Sequence, residues 1–374
     1  MVGEAKVGWV KGQRNPPLRF QVARSKRRIQ TQLLRWFELK GRDLPWRKTR
    51  DPYAIWISEI MLQQTQVATV IPYYKNFLKS FPTVRHLARA DLSDVLRVWE
   101  GLGYYSRARN LHKAARTVVT LFNGKIPDTP EDLLSLPGIG RYTAGAILSI
   151  AFNREAPILD GNVKRVVART FAIPGDPKEA KTEQKLWEIS GALIPRGHAS
   201  SFNQALMELG ATVCTPKAPL CLICPLHDLC KARALGNPEG YPKKAARKKI
   251  PRVEAVSAVI LRNGTVLISR RPPKGLLGGL WEFPNWETEN GKDLKRALKT
   301  LLKKEMAVNA KVGDPVGTLQ HTYSHFKITL HVYYCRILGG KAQGKWVSFS
   351  NLHRFPMSRL HRRIAEKIRG EVGR

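Results

Sequence analysis

The chain has 374 residues, more than one ordinary core holds, and 43% of them are apolar, enough for globular folding. Lys and Arg number 64 against 29 acids, a formal charge of +35. A surplus of this size repels itself and binds polyanions, so nucleic acid is the expected partner, held through phosphates without sequence readout. No apolar run approaches the roughly 20 residues of a membrane span, and the basic amino-terminal stretch lacks the apolar centre of a secretory signal. A soluble, intracellular protein without membrane contact is expected.

Residues 1–24 read as a loose basic arm. From Ser25 to Phe171 the pattern is mostly helical: Ile29, Leu33, Leu34 and Phe37 have helical spacing, as do Leu92, Val95, Leu96 and Trp99. Pro45, Pro52, Pro72, Gly103, Pro127 and Pro137 mark the breaks. Glu59 sits among Ile55, Trp56, Ile60 and Met61. A carboxylate in an apolar stripe is costly. If semi-buried, its pKa rises and it becomes a proton donor near neutral pH.

The stretch "SLPGIGRYTAGAIL" places Gly138 and Gly140 in a tight turn between two helices. A plain helical hairpin accounts for such a turn. Glycines there also let a phosphate reach the backbone N–H groups that open the next helix. Downstream, in "ILDGNVKRV", Asp160 or Asn162 is expected to cap a helix carrying Val163, Val166, Val167 and Phe171. The helix dipole is expected to keep Asp160 ionised. One carboxylate pushed up and one held down is the division of labour of sugar-bond cleavage.

Cys214, Cys221, Cys224 and Cys230 follow the spacing C-x6-C-x2-C-x5-C. An intracellular context disfavours disulfides, while four thiolates suit either zinc or an iron–sulfur cluster. Cys335, in a strand-like stretch, reads as a small core residue. Residues 232–252 form a basic linker, with six basic residues and no acid from Lys243 to Arg252. Beyond it the apolar period changes. Two apolar runs flank Asn263-Gly264, a hairpin signal, and Phe326, Ile328, Leu330, Val332 and Tyr334 alternate as a half-buried strand does. A mainly α region over 25–231 is thus joined to an α+β domain over 253–374.

The turn L-P-G-x-G followed by Arg-x-Thr-Ala resembles the helix-hairpin-helix of the DNA glycosylase superfamily that includes endonuclease III. Together, "RDLPWR", "DPYAIWISEIMLQQTQV", "GLGYYSRARNLH", "LPGIGRYTAGAI" and "LDGNVKRV" resemble MutY-type adenine DNA glycosylases in order and spacing. The resemblance implies a base-flipping enzyme acting on double-stranded DNA with A:8-oxoguanine or A:G mispairs. On that footing Glu59 protonates the adenine, Asp160 stabilises the oxocarbenium-like sugar or captures it transiently, and Asn162 and Tyr142 support the pair. Bifunctional relatives carry a lysine at the position of Tyr142, and a phenol cannot form the Schiff base that breaks the strand. Base removal alone is therefore expected.

The same resemblance assigns Gln64, its neighbour Thr65, and Tyr104 to the positions that enter the duplex, and Arg42 and Arg47 to the entrance of the site. It implies that the cysteine loop holds a four-iron four-sulfur cluster. In the C-terminal domain "GLWEFPNWETE" and its flanking strands resemble a Nudix-type fold. A Nudix hydrolase carries a glutamate-rich metal-binding helix, whereas "LKRALKTLLKKEMAV" offers lysines and a single Glu305. The domain is therefore expected to bind, not cut. "HTYSHF" matches the recognition loop, with Tyr323, Ser324 and His325 reading 8-oxoguanine, although Phe is more usual where Tyr323 stands. A monomer at the nucleoid is expected. Two other readings compete: a thymine- or uracil-mismatch glycosylase on the same scaffold, and a non-catalytic binder of damaged DNA. Glu59 and the C-terminal domain argue against the first, and the two carboxylates against the second.

Overall fold

The computed structural model describes residues 18–243, 250–289, 293–323 and 325–372. Helices follow one another as α1 (Leu18–Lys40), α2 (Pro52–Leu62), α3 (Val67–Ser80), α4 (Val84–Arg89), α5 (Leu92–Val98), α6 (Ser106–Leu121), α7 (Pro130–Ser135), α8 (Arg141–Ile150), α9 (Gly161–Phe171), α10 (Ala180–Leu193), α11 (Ala199–Thr212) and the short α12 (Lys231–Ala234). The chain divides into two compact units, Met1–Asp43 with Gly140–Ala245, and Leu44–Ile139 with Ala246–Arg374.

In the first unit α1 packs on α10 and α11, and α9 packs on α10, α11 and α12. Helix α1 begins at Leu18, inside the stretch that composition reads as a loose arm. No Gly or Pro interrupts it, and Val22, Ile29 and Leu33 bury one face at helical spacing, so packing carries the helix back toward the amino terminus.

In the second unit α2 is buried from Tyr53 to Met61. Asp51 starts it by accepting hydrogen bonds from the N–H groups of Tyr53 and Ala54, with Pro52 at the first helical position. The same unit holds an α+β domain: β1 (Arg252–Arg262), β2 (Thr265–Arg270), β3 (Trp281–Glu282), β4 (Asn285–Thr288), α13 (Leu294–Met306), β5 (Asn309–Thr322), β6 (Lys327–Gly339), β7 (Lys345–Ser348) and α14 (Arg359–Val372). The sheet is mixed. Strand β1 runs parallel to β6 and antiparallel to β2 and β4, while β5 pairs antiparallel with β6. The first hairpin closes on Asn263-Gly264, as its sequence indicates.

Strand β1 is buried on both faces from Ala255 to Ile260, which explains its apolar residues without alternation; Ser257, the polar member, donates to the Pro284 carbonyl. Ala255 and Val259 join Leu360, Ile364 and Ile368 of α14 in one core, and Val256, Ala258 and Ile260 join Leu298 and Leu302 of α13 in the other. Residues 1–17 of the basic arm, residues 244–249 of the basic linker and Ser324 lie outside the described residues.

Candidate catalytic and DNA-binding site

The first unit carries Asp160. It caps α9: one carboxylate oxygen accepts from the Val163 N–H at 2.7 Å, the other from Asn162 Nδ2 at 3.0 Å. Asn162 Oδ1 in turn accepts from Arg165 Nη2 at 2.8 Å. Gly210 of α11 lies against this helix start, where an added Cβ would come within 2.6 Å of the Asn162 Cβ. Close approach of two backbones thus fixes the Asn162 side chain. The ionisation of Asp160 departs from the dipole argument. Burial raises its pKa above the ordinary aspartate value, and the hydrogen bonds from Val163 and Asn162 offset this only in part.

Tyr142, in the first turn of α8, donates its hydroxyl to Met207 Sδ at 3.3 Å. Arg42 is committed to structure: its Nε and Nη2 meet the two carboxylate oxygens of Glu208 at 2.7 and 2.8 Å, and Glu208 is buried. An arginine read as an entrance residue therefore also neutralises a core glutamate, which the sequence does not disclose.

The cysteine loop hangs on α9. Arg165 donates from Nε to the Cys214 carbonyl at 2.6 Å and from Nη2 to the Gly210 carbonyl at 2.7 Å. Arg169 Nη1 reaches Cys214 Sγ at 3.4 Å and the Thr215 carbonyl at 2.6 Å. Cys214, Cys221, Cys224 and Cys230 line one cavity with Val213 and Leu220. Burial pushes the Cys224 thiol up to about 12, and the charges of the other three cysteines add to the effect, so the four sulfurs share one field. Among the described residues no group of three or more His, Cys, Asp or Glu side chains is set to hold a single metal ion.

The second unit carries Glu59, buried at 3% exposure within α2. The sequence left open a partly exposed glutamate; the helix buries it. After α2 the chain turns through Gln64, exposed and in the left-handed region at φ 57°. Tyr104 is likewise left-handed at φ 49°, and the residue is 39% exposed. Gln64 is thus an exposed residue just past a helix end, and Tyr104 faces solvent instead of packing inward, each with a backbone conformation that costs strain. Both line a cavity of about 250 Å³ together with Trp56, Asn110 and Gly138.

Arg107 of α6 joins these loops, and sequence reasoning missed it. Its Nη1 donates to the carbonyls of Ile60, Met61 and Gln63 at 2.8, 2.7 and 2.6 Å. Its Nη2 donates to Thr65 Oγ1 and to the Gly103 carbonyl, both at 3.1 Å. Burial pulls the guanidinium down to about 10. The signal available was an arginine on the apolar face of "SRARNLH".

The two turn glycines differ. Gly138 stands at φ 82°, and a Cβ there would meet the Asn110 Cβ at 2.7 Å. Gly140 has φ −99°, opens α8, and faces nothing within 4 Å of an added Cβ. Only Gly138 is demanded by its own fold, while Gly140 leaves open space at a helix start. Arg47 ends a 3-10 turn beside the buried Trp46. In the α+β domain the Tyr323 ring meets His321 edge-on and Phe326 at a tilt, at centroid distances of 4.5 and 5.0 Å, and His325 is exposed.

Residues 57–191 match the HhH-GPD superfamily of base excision DNA repair proteins, and residues 255–367 match the NUDIX domain. The chain is 37% identical to the adenine DNA glycosylase of Homo sapiens, over 91% of this chain and 73% of that one. It is 39% identical to the adenine DNA glycosylase of Buchnera aphidicola subsp. Schizaphis graminum (strain Sg), over 89% of this chain and 96% of that one. A solved structure of a thermostable thymine-DNA glycosylase is 30% identical and superposes with a TM-score of 0.52, over 57% of this chain and 98% of that chain.

Proposed function

The chain belongs to the adenine DNA glycosylase family, and we propose that within it this protein removes adenine paired with 8-oxoguanine, and with guanine less efficiently, without breaking the strand. The enzyme is a base excision repair glycosylase, and it hydrolyses the bond between adenine and deoxyribose. The observation that supports the finer reading is the placement of two carboxylates. Glu59 is enclosed by a buried helix, suited to give a proton, while Asp160 is held by two hydrogen bonds at a helix start, suited to face a cation. In this reading Glu59 protonates the flipped adenine and Asp160 stabilises the oxocarbenium-like sugar. Tyr142 and Asn162 support them. Gln64, Thr65 and Tyr104 fill the gap in the duplex, and Gly138, Gly140, Arg42 and Arg47 border the strand.

Residues 25–231 then form the catalytic region. Residues 253–374 form a reader of the opposite base through Tyr323, Ser324 and His325. No helix among the described residues is long and apolar enough to cross a membrane; a DNA substrate favours a position at the nucleoid. The test is single-turnover excision on duplexes carrying adenine, thymine or uracil opposite guanine or 8-oxoguanine. Adenine opposite 8-oxoguanine is expected to react fastest, and thymine or uracil excision would overturn the assignment. His325→Ala is expected to lower only the 8-oxoguanine rate, by about 10-fold for one lost hydrogen bond. Borohydride added to the same reactions traps no covalent complex if Tyr142 replaces the amine as proposed.

Four thiols lining one cavity suit a four-iron four-sulfur cluster held by Cys214, Cys221, Cys224 and Cys230. Such a cluster supplies a folded, positively bordered loop near DNA, and it takes no part in the excision step. The purified protein is expected to contain iron and acid-labile sulfide in equal amounts; fully active protein loaded with zinc instead would refute the cluster.

The raised pKa of Asp160 sets a pH signature. If the ionised form is required, activity falls as pH falls through the folded-state pKa. The acid limb of the single-turnover profile therefore lies above the ordinary aspartate value of 3.8. By the same sign, the ionised carboxylate costs the fold stability at neutral pH, and protonation relieves it. Asn162→Ala removes a hydrogen bond that favours the charged form and is expected to move the limb to higher pH. A limb that stays put or moves down contradicts the role of Asp160.

A further inference from the structure

The loop from Trp99 to Tyr105 is held from two sides, and both holds lie within one unit. From the helical side, the Gly103 carbonyl accepts from Trp99 Nε1 and Arg107 Nη2, each at 3.1 Å, and the Tyr73 hydroxyl donates to the Glu100 carbonyl at 2.8 Å. From the α+β domain, Arg362 of α14 donates to the Glu100 carboxylate from Nε at 2.5 Å and from Nη2 at 2.9 Å. The Met357 N–H donates to the same carboxylate at 3.0 Å. The Tyr105 hydroxyl accepts from the Gly101 N–H and donates to the Met357 carbonyl, both at 3.1 Å. Arg362 is itself fixed by the carbonyls of Leu352 and Phe355 at 3.0 and 2.7 Å. The side chains of Arg362 and Glu100 are 19% and 17% exposed, so the pair is largely shielded from water.

Tyr104 sits between these holds with a left-handed backbone. A non-glycine residue keeps such a conformation only where its surroundings over-determine it. Glu100 is four residues before Tyr104, and its carboxylate is the one anchor of this loop that ends on a charged group of the α+β domain among the contacts described above.

We propose that Glu100 and Arg362 form a latch through which the α+β domain sets the Tyr104 loop in the conformation that enters the duplex. The domain then positions the wedge as well as reading the opposite base. This rests on the reading that Tyr104 fills the gap left by the flipped adenine. Glu100 and Arg362 are positioning residues; neither touches the reacting atoms. Removing one partner leaves a shielded charge that turns to water and lets residues 100–103 relax, and loss of the Glu100 carboxylate also weakens the hold on the Met357 N–H. Because the latch acts on the wedge, its loss affects extrusion whatever base lies opposite. Loss of a reading contact such as His325 affects only 8-oxoguanine. Deleting the whole domain would remove latch and reader together, so point variants are needed.

The experiment uses the full chain and duplexes with 2-aminopurine beside the target adenine, whose fluorescence rises on extrusion. Glu100→Gln and Arg362→Met are expected to slow this rise by about 10-fold or more, equally opposite guanine and 8-oxoguanine. The reversed pair, Glu100→Arg with Arg362→Glu, is expected to recover part of the rate, and it decides the matter if the single variants fold poorly. Normal extrusion in both single variants, with Tyr104→Ala impaired, overturns the latch. Normal extrusion in Tyr104→Ala overturns instead the wedge reading on which it rests. A reversed pair that restores the melting temperature but not extrusion shows a merely structural ion pair, and also overturns the proposal.

Discussion

Asp160→Asn is expected to lower the single-turnover rate of adenine excision by on the order of 10³-fold or more while leaving the fold in place. The substitution removes the charge and almost nothing else. The amide keeps an oxygen to accept from the Val163 N–H, now met at 2.7 Å, and Asn caps helices as well as Asp does. Its NH2 group would face Asn162 Nδ2, which now donates to the carboxylate at 3.0 Å. That clash costs about 1 kcal/mol, or is relieved by rotation of an amide. A thermal melt within a few degrees of wild type, beside a collapsed rate, is the expected pair of results. A near wild-type rate in a folded variant would remove Asp160 from the reaction.

Glu59→Gln is expected to cost about 10²–10⁴-fold in the same step, the usual worth of general acid catalysis. Gln is the informative replacement because α2 is buried from Tyr53 to Met61. Truncation to Ala would open a cavity in that packing and confound chemistry with stability. A purely structural Glu59 would leave the excision rate of the folded variant near that of the wild type, and that result would remove Glu59 from the reaction.

Much of the site was legible in the chain itself. The Asp160 cap, the helix behind it, the apolar setting of Glu59, the Asn263-Gly264 hairpin and the lysine-rich α13 all follow from patterns spanning a few residues. Capping, turn chemistry and helical or strand periods act over that range. The cysteine spacing located its loop for the same reason.

The tertiary structure alone decided how buried charges are compensated. Glu208 finds Arg42, Arg165 and Arg169 hold the cysteine loop, Arg107 gathers two loops, and Glu100 finds Arg362. It also reversed the balance at Asp160, where burial outweighs the helix start. The reason is common to all of these. Desolvation depends on everything packed around a group, and the partner that offsets it is chosen by the fold, tens to hundreds of residues away, where no local pattern in the sequence points.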